Sequence, residues 1–397
     1  MRLTAKLDGY RASVFTQLAE EKKALRESGV DVIDLSIGTP DLPPAEHIMR
    51  ALSEAALEPA NYVYAVKDLP ELLESAAGWY QRRFGVTLRP DTQITSLLGS
   101  QDGLAHIAQA LLDEGDTVLV PDPCYPIFAD GPTLCGMRVE RLEQKAENGY
   151  RIDFDAVPEA LARRAKLLIF SYPNNPVASV ADAAYFREVV AFAKKYDLAV
   201  MHDNAYCELT FDGYRCGSFL QTPGAMEVGV EFNSLSKTYN MAGARVGFAV
   251  GNEKIVAQLK SLKSNIDFGI FLPIQKAAIA ALDGPQEQVE HTRRTYQRRR
   301  DLLVDGLAGI GWPISKPLAT MFVWAKIPEG FATAREFTTA LMRRTGVIVV
   351  PGTAFGACGE GHVRMALVQP EERLREAIRR IEGSGLIERK TENRDAN

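Results

Sequence analysis

The sequence has little cysteine, and it contains no apolar run long enough to span a membrane. Its 397 residues include five cysteines, an odd number without a CxxC pair: Cys124, Cys135, Cys207, Cys216 and Cys358. This pattern argues against a disulfide framework and a zinc site. No stretch approaches the roughly 20 apolar residues of a membrane helix, and the N-terminus lacks the apolar core of a signal peptide. We therefore expect a cytoplasmic protein with no membrane partner.

Concentrated positive charge is also missing. The net charge is −5, and the richest basic run, residues 293–300, lies in a helical pattern with Tyr296, Leu303 and Leu307 on one side. We interpret this run as a solvated helix face, so no nucleic-acid partner is predicted. The sequence contains no HExxH, GxxxxGK[ST] or GxSxG motif, and its five histidines are scattered. A metal site is not predicted.

What is present is an alternation of strand and helix patterns. Apolar runs of strand length cover residues 117–121, 166–171, 198–203 and 245–250, and helical patterns cover residues 99–112 and 183–196. Alternation of this kind predicts an α/β fold with a mostly parallel sheet and helices on both faces. Such sheets place ligand-binding groups at the carboxyl ends of their strands. Residues 172–175, Asp203 and residues 234–237 follow such strands.

The pattern changes near residues 283–285. A long polar helix pattern follows, then two strand candidates at residues 321–326 and 347–350 and a last helix near residues 371–383. The final residues, 388–397, are polar and are predicted to be a disordered tail.

The most informative segment is residues 232–248, FNSLSKTYNMAGARVGF. Lys237 is framed by Ser234 and Ser236, and Arg245 follows eight positions later. A lysine with small hydroxyl neighbours and a nearby arginine suits a buried Schiff-base lysine beside a phosphate. A solvated surface lysine is the alternative for this segment taken alone.

Other segments carry candidate site residues. Ser100 and Gln101 begin a helix pattern after Gly99, where unpaired amides favour an anion, although a plain N-cap serine is the alternative. Asp203 ends a buried-strand pattern, where a carboxylate needs a cationic partner. Arg364 lies in a strand-like segment, and its alternative is an arginine on the surface of an edge strand.

Six segments, in order, resemble the class I and II aminotransferases of fold type I, which use pyridoxal phosphate. Besides residues 232–248, the matching segments are GSQDGL (99–104), DPCYP (122–126), YPNNP (172–176), HDNAY (202–206) and VRMA (363–366). The resemblance covers roughly residues 30–370 and is greatest to the diaminopimelate, alanine and aromatic aminotransferase branches. It implies an N-terminal arm and part of a small domain at 1–45, a large cofactor-binding domain at 46–284 and a small α/β domain at 285–387.

The resemblance also implies a role for each site residue. Lys237 is expected to form the Schiff base and to move the substrate Cα proton, and Asp203 to hold the pyridinium proton. Asn175 and Tyr206 are expected to bond the phenolate oxygen, and Tyr125 to stack on the ring. The expected phosphate ligands are Ser100, Gln101, Ser234, Ser236 and Arg245, with Tyr64 reaching the site of a second subunit. Gly38, Asn175 and Arg364 are expected to contact the substrate.

Two departures from the family pattern lie near the substrate entrance. Residues 175–179 read NPVAS where Asn-Pro is usually followed by Thr-Gly, so the small glycine turn is expected to be absent. Near Tyr64 the spacing to Leu69 is one residue short, and Asp68 replaces a glycine.

The predicted function is therefore an aminotransferase that moves the amino group of an amino acid to a 2-oxo acid through a Lys237 Schiff base, in a homodimer with shared active sites. The alternative is a pyridoxal-phosphate enzyme of specialised biosynthesis that catalyses elimination, γ-replacement or cyclisation, since these reactions share the loss of the Cα proton. A cofactor-sensing regulator is a weaker alternative.

Overall fold

A computed structural model describes Thr4, Leu7 and residues 14–387. The predicted disordered tail, residues 388–397, and most of the predicted N-terminal arm before residue 14 lie outside the described residues. Within the described part, no helix is both long enough and apolar enough to cross a membrane.

The helices alternate with strands over the first two thirds of the chain. The helices are α1 (Val14–Glu27), α2 (Glu46–Ala56), α3 (Pro70–Phe84), α4 (Pro90–Gln93), α5 (Ser100–Leu111), α6 (Ile127–Leu134), α7 (Glu159–Arg164), α8 (Ala183–Tyr196), α9 (Ala225–Val228), α10 (Leu235–Thr238), α11 (Glu253–Lys263), α12 (Leu272–Asp283), α13 (Glu287–Gly309), α14 (Ala334–Thr345) and α15 (Glu371–Gly383). The strands are β1 (Ile33–Asp34), β2 (Ile94–Leu97), β3 (Thr117–Asp122), β4 (Arg138–Glu143), β5 (Ala165–Ser171), β6 (Ala199–Asp203), β7 (Gly229–Ser234), β8 (Gly247–Gly251), β9 (Phe322–Lys326), β10 (Val347–Ile348), β11 (Val350–Pro351) and β12 (His362–Ala366).

The central sheet has seven strands in the order β2-β8-β7-β6-β5-β3-β4. β8 runs antiparallel to both of its neighbours, and the other pairings are parallel. Alternate residues of β5 enter different apolar clusters: Leu168 and Phe170 pack on one face, and Leu167 and Ile169 on the other. Both faces are therefore covered, and the predicted mostly parallel α/β sheet is confirmed.

The C-terminal part of the chain packs against the N-terminal segment. β1 pairs with β10 in parallel, and β11, β12 and β9 form an antiparallel sheet with β12 in the middle. Ile33 and Leu35 share one buried cluster with Val347 and Leu374. This packing is consistent with a smaller unit built from both chain ends, and the domain bounds given above stay a prediction.

The strand expected at residues 347–350 is divided. Val347 and Ile348 pair with β1, whereas Val350 and Pro351 pair with β12. Val349 lies between the two pairings and is 1% exposed. An apolar run alone does not reveal this division, because its residues would be buried whether they formed one continuous strand or two short ones.

The basic run on α13 is more buried than the sequence suggests. Tyr296, Leu303 and Leu307 are buried as expected, but Arg299 and Arg300 are only 4% and 1% exposed. Arg299 donates to both carboxylate oxygens of Asp41 at 2.7 Å. Arg300 donates to Asp212 at 2.6 and 2.9 Å. The interpretation as a solvated face is wrong for these two residues, because distant carboxylates pair with their charges.

Candidate active site

A cavity of about 530 Å³ opens beside the ends of β6 and β7. Every site residue predicted from the sequence except Tyr64 lines it: Gly38, Ser100, Gln101, Tyr125, Asn175, Asp203, Tyr206, Ser234, Ser236, Lys237, Arg245 and Arg364. Tyr64 lies outside this cavity, is 81% exposed and packs against Phe268 in a tilted arrangement with a centroid distance of 5.6 Å.

Lys237 lies on α10, the short helix that follows β7. The Ser234 hydroxyl caps this helix by accepting the Ser236 N–H at 3.2 Å. Nζ of Lys237 donates to the Gly38 carbonyl at 2.7 Å. Burial, together with the nearby charges of Arg364 and Arg245, lowers the pKa of Lys237 to about 8. Such a lysine yields its neutral, nucleophilic form far more readily than a solvated one, so the surface-lysine alternative is wrong.

Asp203 is the last residue of β6 and is 5% exposed. Its Oδ1 is buried without a hydrogen-bond partner in the described structure. Burial raises the pKa of this carboxyl to about 6, although His202 and the Ala205 amide oppose the shift. A cationic donor bound in the cavity would satisfy Oδ1 and restore the charge.

The turn before α5 is shaped to receive an anion. Gly99 has a φ of +75°, and a Cβ there would lie 2.3 Å from Nη2 of Arg245. Gly99 is the N-cap and makes no side-chain cap bond, so the alternative of Ser100 as a capping serine is wrong. The first amides of a helix have no acceptor within it. The Ser236 hydroxyl, also on this cavity, is buried and unpaired in the described structure.

Arg364 lies on β12, the middle strand of its sheet, and is 5% exposed, so the edge-strand alternative is wrong. Its guanidinium carbon lies 4.2 Å from the ring centre of Phe322 and 4.6 Å from that of Phe355. Nη1 donates to Asn175 Oδ1 at 2.9 Å, and Nη2 donates to the Ser36 carbonyl at 2.7 Å. Burial lowers the pKa of Arg364 to about 10, which leaves it cationic at neutral pH.

The two aromatic site residues have different surroundings. Tyr125 donates its hydroxyl to Gln101 Oε1 at 2.6 Å and is only partly buried. Tyr206 is 6% exposed and packs on Phe322 at a centroid distance of 5.7 Å. Phe322, Phe355 and Ser36 were not among the predicted site residues. Phe322 lies in a predicted strand, but only the strand pairing shows that its ring meets Arg364.

The two departures from the family pattern have local explanations. Ala178 adopts a φ of +58°, and its N–H donates to the Asn174 carbonyl at 3.0 Å. The glycine of the family pattern is absent, and Ala178 itself adopts the left-handed conformation at this position. Asp68 accepts the Ser96 N–H at 3.0 Å and also bonds the Ser96 hydroxyl, so it joins the residue 64–69 segment to β2.

Comparison with known proteins gives consistent results. Residues 30–381 match the family described as aminotransferase class I and II. LL-diaminopimelate aminotransferase of Dehalococcoides mccartyi is 45% identical, covering 96% of this chain and 98% of its own. The enzyme of the same name from Moorella thermoacetica is 46% identical, covering 93% and 94%.

Solved structures agree with these sequence relatives. Substrate-bound BacF from Bacillus subtilis superposes with a TM-score of 0.94 at 38% identity, covering 98% of this chain and 99% of its own. A probable N-succinyldiaminopimelate aminotransferase from Thermus thermophilus gives 0.89 at 41% identity, covering 94% and 100%.

Proposed function

The chain belongs to the class I and II aminotransferases, and we propose that it holds pyridoxal phosphate at Lys237 and takes a diaminopimelate-type amino acid as donor. As an aminotransferase, it moves the amino group of an amino acid to a 2-oxo acid. The donor class is inferred from relatives whose names specify LL-diaminopimelate and from a neighbouring structure named for its N-succinyl derivative.

The observation that carries the cofactor proposal is the set of unsatisfied groups on one cavity. Asp203 Oδ1 and the Ser236 hydroxyl are both buried without partners in the described part of the chain. A ligand with a protonated ring nitrogen and a phosphate would supply a donor for the first group and acceptors for the second. Arg245 and the first amides of α5 would complete the phosphate site. The residues present therefore fit pyridoxal phosphate.

When bound, pyridoxal phosphate supplies an electron-accepting ring that makes the Cα–H bond of an attached amino acid acidic. Lys237 Nζ would accept the Cα proton and deliver it to the cofactor carbon bonded to the amino nitrogen, and its lowered pKa would make the neutral form of the amine available. Asp203 would keep the ring nitrogen protonated by accepting its N–H. Asn175 and Tyr206 would bond the ring oxygen, and Tyr125 would pack on the ring face.

Arg364 binds the α-carboxylate of the substrate. Its Nε is buried and unpaired in the described structure, and the two phenylalanine rings fix the plane of its guanidinium. A planar fork of donors suits a carboxylate at two points. Gly38 lies beside this site, close to the Phe322 ring: a Cβ at Gly38 would be only 2.4 Å from that ring.

We further propose a cytoplasmic homodimer in which Tyr64 reaches the phosphate of the partner subunit. The high exposure of Tyr64, outside its own cavity, supports this proposal.

The test of function is a comparison of amino donors with purified protein. LL-diaminopimelate, N-succinyl-LL-diaminopimelate, alanine and phenylalanine are each supplied with 2-oxoglutarate, and glutamate and the new 2-oxo acid are measured by mass spectrometry. We expect the highest kcat/KM with a diaminopimelate-type donor. A higher value with phenylalanine or alanine would refute the donor proposal, and products formed without a matching amount of glutamate would refute transamination as the main reaction.

Cofactor attachment is tested separately. Borohydride treatment of the yellow protein should leave a pyridoxyl mass on the peptide that contains Lys237. Lys237→Ala should lack this mass and should lose transamination by several orders of magnitude, because the proton-transfer group is gone. A Lys237→Ala protein that reacts at the wild-type rate would rule out this role.

A further inference from the structure

A buried ion cluster lies behind the anion site, outside the cavity. Lys263, the last residue of α11, has a side chain that is 8% exposed, and its Nζ contacts the carboxylates of Asp102 and Asp267. Asp102 also accepts a bond from His106 Nδ1 at 2.8 Å. None of these four residues lines the cavity. The cluster joins α5 to the loop after α11.

On one side, Asp102 fixes the turn that precedes α5. Its Oδ2 accepts the Leu98 N–H at 2.9 Å, while the Leu98 carbonyl accepts a bond from Arg245 Nη2 at 3.2 Å. The peptide groups of Leu98 are therefore held from two directions. Gly99 and Ser100 follow directly, so the orientation of the first amides of α5 depends on Asp102.

On the other side, Asp267 fixes a second turn. Its Oδ1 accepts the Gly269 N–H at 2.9 Å. Gly269 has a φ of +92°, and a Cβ there would lie 2.4 Å from the Ala65 carbonyl oxygen. Phe268, which lies between Asp267 and Gly269 in the chain, packs its ring against Tyr64 in a tilted arrangement. The turn at Asp267 therefore supports the exposed segment that carries Tyr64.

Lys263 is the cation that both carboxylates share. Although burial raises the pKa of Asp102, bonds from His106 and Lys263 outweigh it and lower that pKa to about 2. Two carboxylates brought to one buried point repel each other unless a cation lies between them. Removal of the Lys263 charge would therefore loosen both turns together.

We propose that Lys263 is a positioning residue that couples the anion site at the start of α5 to the segment around Tyr64. The order of one turn then depends on the order of the other, and a change on the Asp267 side weakens phosphate binding without touching the cavity. This proposal rests on the proposed function only in identifying the bound anion as the phosphate of pyridoxal phosphate.

The first test compares Lys263→Met with Lys260→Met. Lys260 lies one turn earlier on α11, and its Nζ donates to the Asp91 carbonyl at 2.5 Å, so its loss leaves both carboxylates paired. Cofactor-free proteins are titrated with pyridoxal phosphate and with pyridoxal. We expect Lys263→Met to bind pyridoxal phosphate at least about tenfold more weakly, as for other supporting residues around a binding site. Pyridoxal affinity should change much less, and Lys260→Met should match the wild type for both ligands.

The second test uses Asp267→Asn, which removes one charge on the side remote from the cavity. This variant should also weaken the binding of pyridoxal phosphate more than the binding of pyridoxal. If Lys263→Met does not fold, Asp267→Asn alone decides whether the two turns are coupled. Hydrogen–deuterium exchange of the cofactor-free variants should be faster in residues 97–101 and 62–69 together. Lys260→Met should leave both segments as in the wild type.

The proposal is overturned if both variants bind pyridoxal phosphate with the affinity of the wild type. It is also overturned if their affinities for pyridoxal and for pyridoxal phosphate fall by the same factor. Faster exchange confined to one of the two segments also overturns it. Failure of the wild type to bind pyridoxal phosphate would instead refute the proposed function. The exchange measurement would then still decide whether Lys263 couples the two turns.

Discussion

At the residue scale, Asp203 is a carboxyl group whose charge depends on what binds beside it. Burial raises its pKa to about 6, from an ordinary value of 3.8. The unfolded chain therefore releases this proton at lower pH than the folded, cofactor-free protein does. As pH rises from about 4 to about 6, the free energy of unfolding should fall, by at most roughly 3 kcal/mol for a shift of this size.

Asp203→Asn tests this linkage and the proposed role together. Without cofactor, the variant should be more stable than the wild type at pH 8 and nearly equal at pH 4, as measured by urea unfolding. With cofactor and substrate, Cα deprotonation should slow by well over about tenfold, because a positioned charge is lost. Equal stability at pH 8 would contradict the burial argument, and Cα–H exchange within about tenfold of wild type would contradict the proposed role.

Arg364 is the second residue whose environment predicts a measurable effect. Arg364→Lys keeps a positive charge but loses the fork of donors held between Phe322 and Phe355. The kcat/KM for amino acids should fall by about a hundredfold, roughly 2.7 kcal/mol, while the cofactor spectrum stays unchanged. Amines without a carboxylate serve as the internal control and should lose much less. Unchanged amino-acid affinity and turnover would show that the substrate carboxylate binds elsewhere.

At the element scale, the end of α8 and the turn at Asp212, between β6 and β7, pose opposite cases. Asp197 caps the C-terminus of α8 with a φ of +56° and is exposed, and its carboxylate makes no hydrogen bond or ion pair with the residues that the structure describes. Asp212 also has a positive φ, +54°, but its carboxylate pairs with the buried guanidinium of Arg300. Both aspartates therefore adopt a strained backbone conformation, but only the carboxylate of Asp212 pairs with a buried cation.

Asp197→Gly should raise the free energy of unfolding by up to about 1 kcal/mol, because glycine adopts this conformation freely and an anion is unfavourable at a helix C-terminus. Asp212→Gly should lower it by roughly 1–3 kcal/mol, since the loss leaves Arg300 underpaired. Urea unfolding of both variants measures the difference. A stabilising Asp212→Gly would show that the ion pair contributes little.

At the scale of the whole molecule, an apolar surface lies beside the Tyr64 segment. It comprises Tyr62, Val63, Tyr64, Val66, Ile266, Phe268 and Phe271, each at least 40% exposed. Exposed apolar surface of this kind marks association sites. A symmetric pair of chains would bury it twice. This supports the predicted homodimer with shared active sites.

Mixing two inactive variants tests the shared sites. Lys237→Ala chains retain Tyr64, and Tyr64→Ala chains retain Lys237, so a hybrid dimer would contain one site with both native residues. After unfolding and refolding together, the mixture should exceed the activity of either parent refolded alone. No gain, with hybrid dimers confirmed by native mass spectrometry, would refute the contribution of Tyr64 to the partner site.

Local sequence signals were enough to predict many of the helices and strands and most of the residues on the cavity. The helices predicted at residues 183–196 and 371–383 have those bounds in the structure, because apolar periodicity and terminal residues are local signals. Residues in six ordered segments line one cavity. Five of these segments lie at one edge of the central sheet, where parallel strands bring their carboxyl ends together, whereas Arg364 comes from the antiparallel sheet. The roles assigned to those residues stay predictions.

Which charged side chains are buried, and which groups pair with them, depends on the packing of the folded chain. Arg299 pairs with Asp41 across 258 positions and Arg300 with Asp212 across 88, so no local pattern distinguishes them from solvated arginines. The contact of Lys263 with Asp102, 161 positions away in the chain, depends equally on remote packing. Periodicity reports which face of an element is apolar. It carries no information about which distant group contacts a given polar side chain. Those contacts determine the charge, the strain and the chemistry of the site.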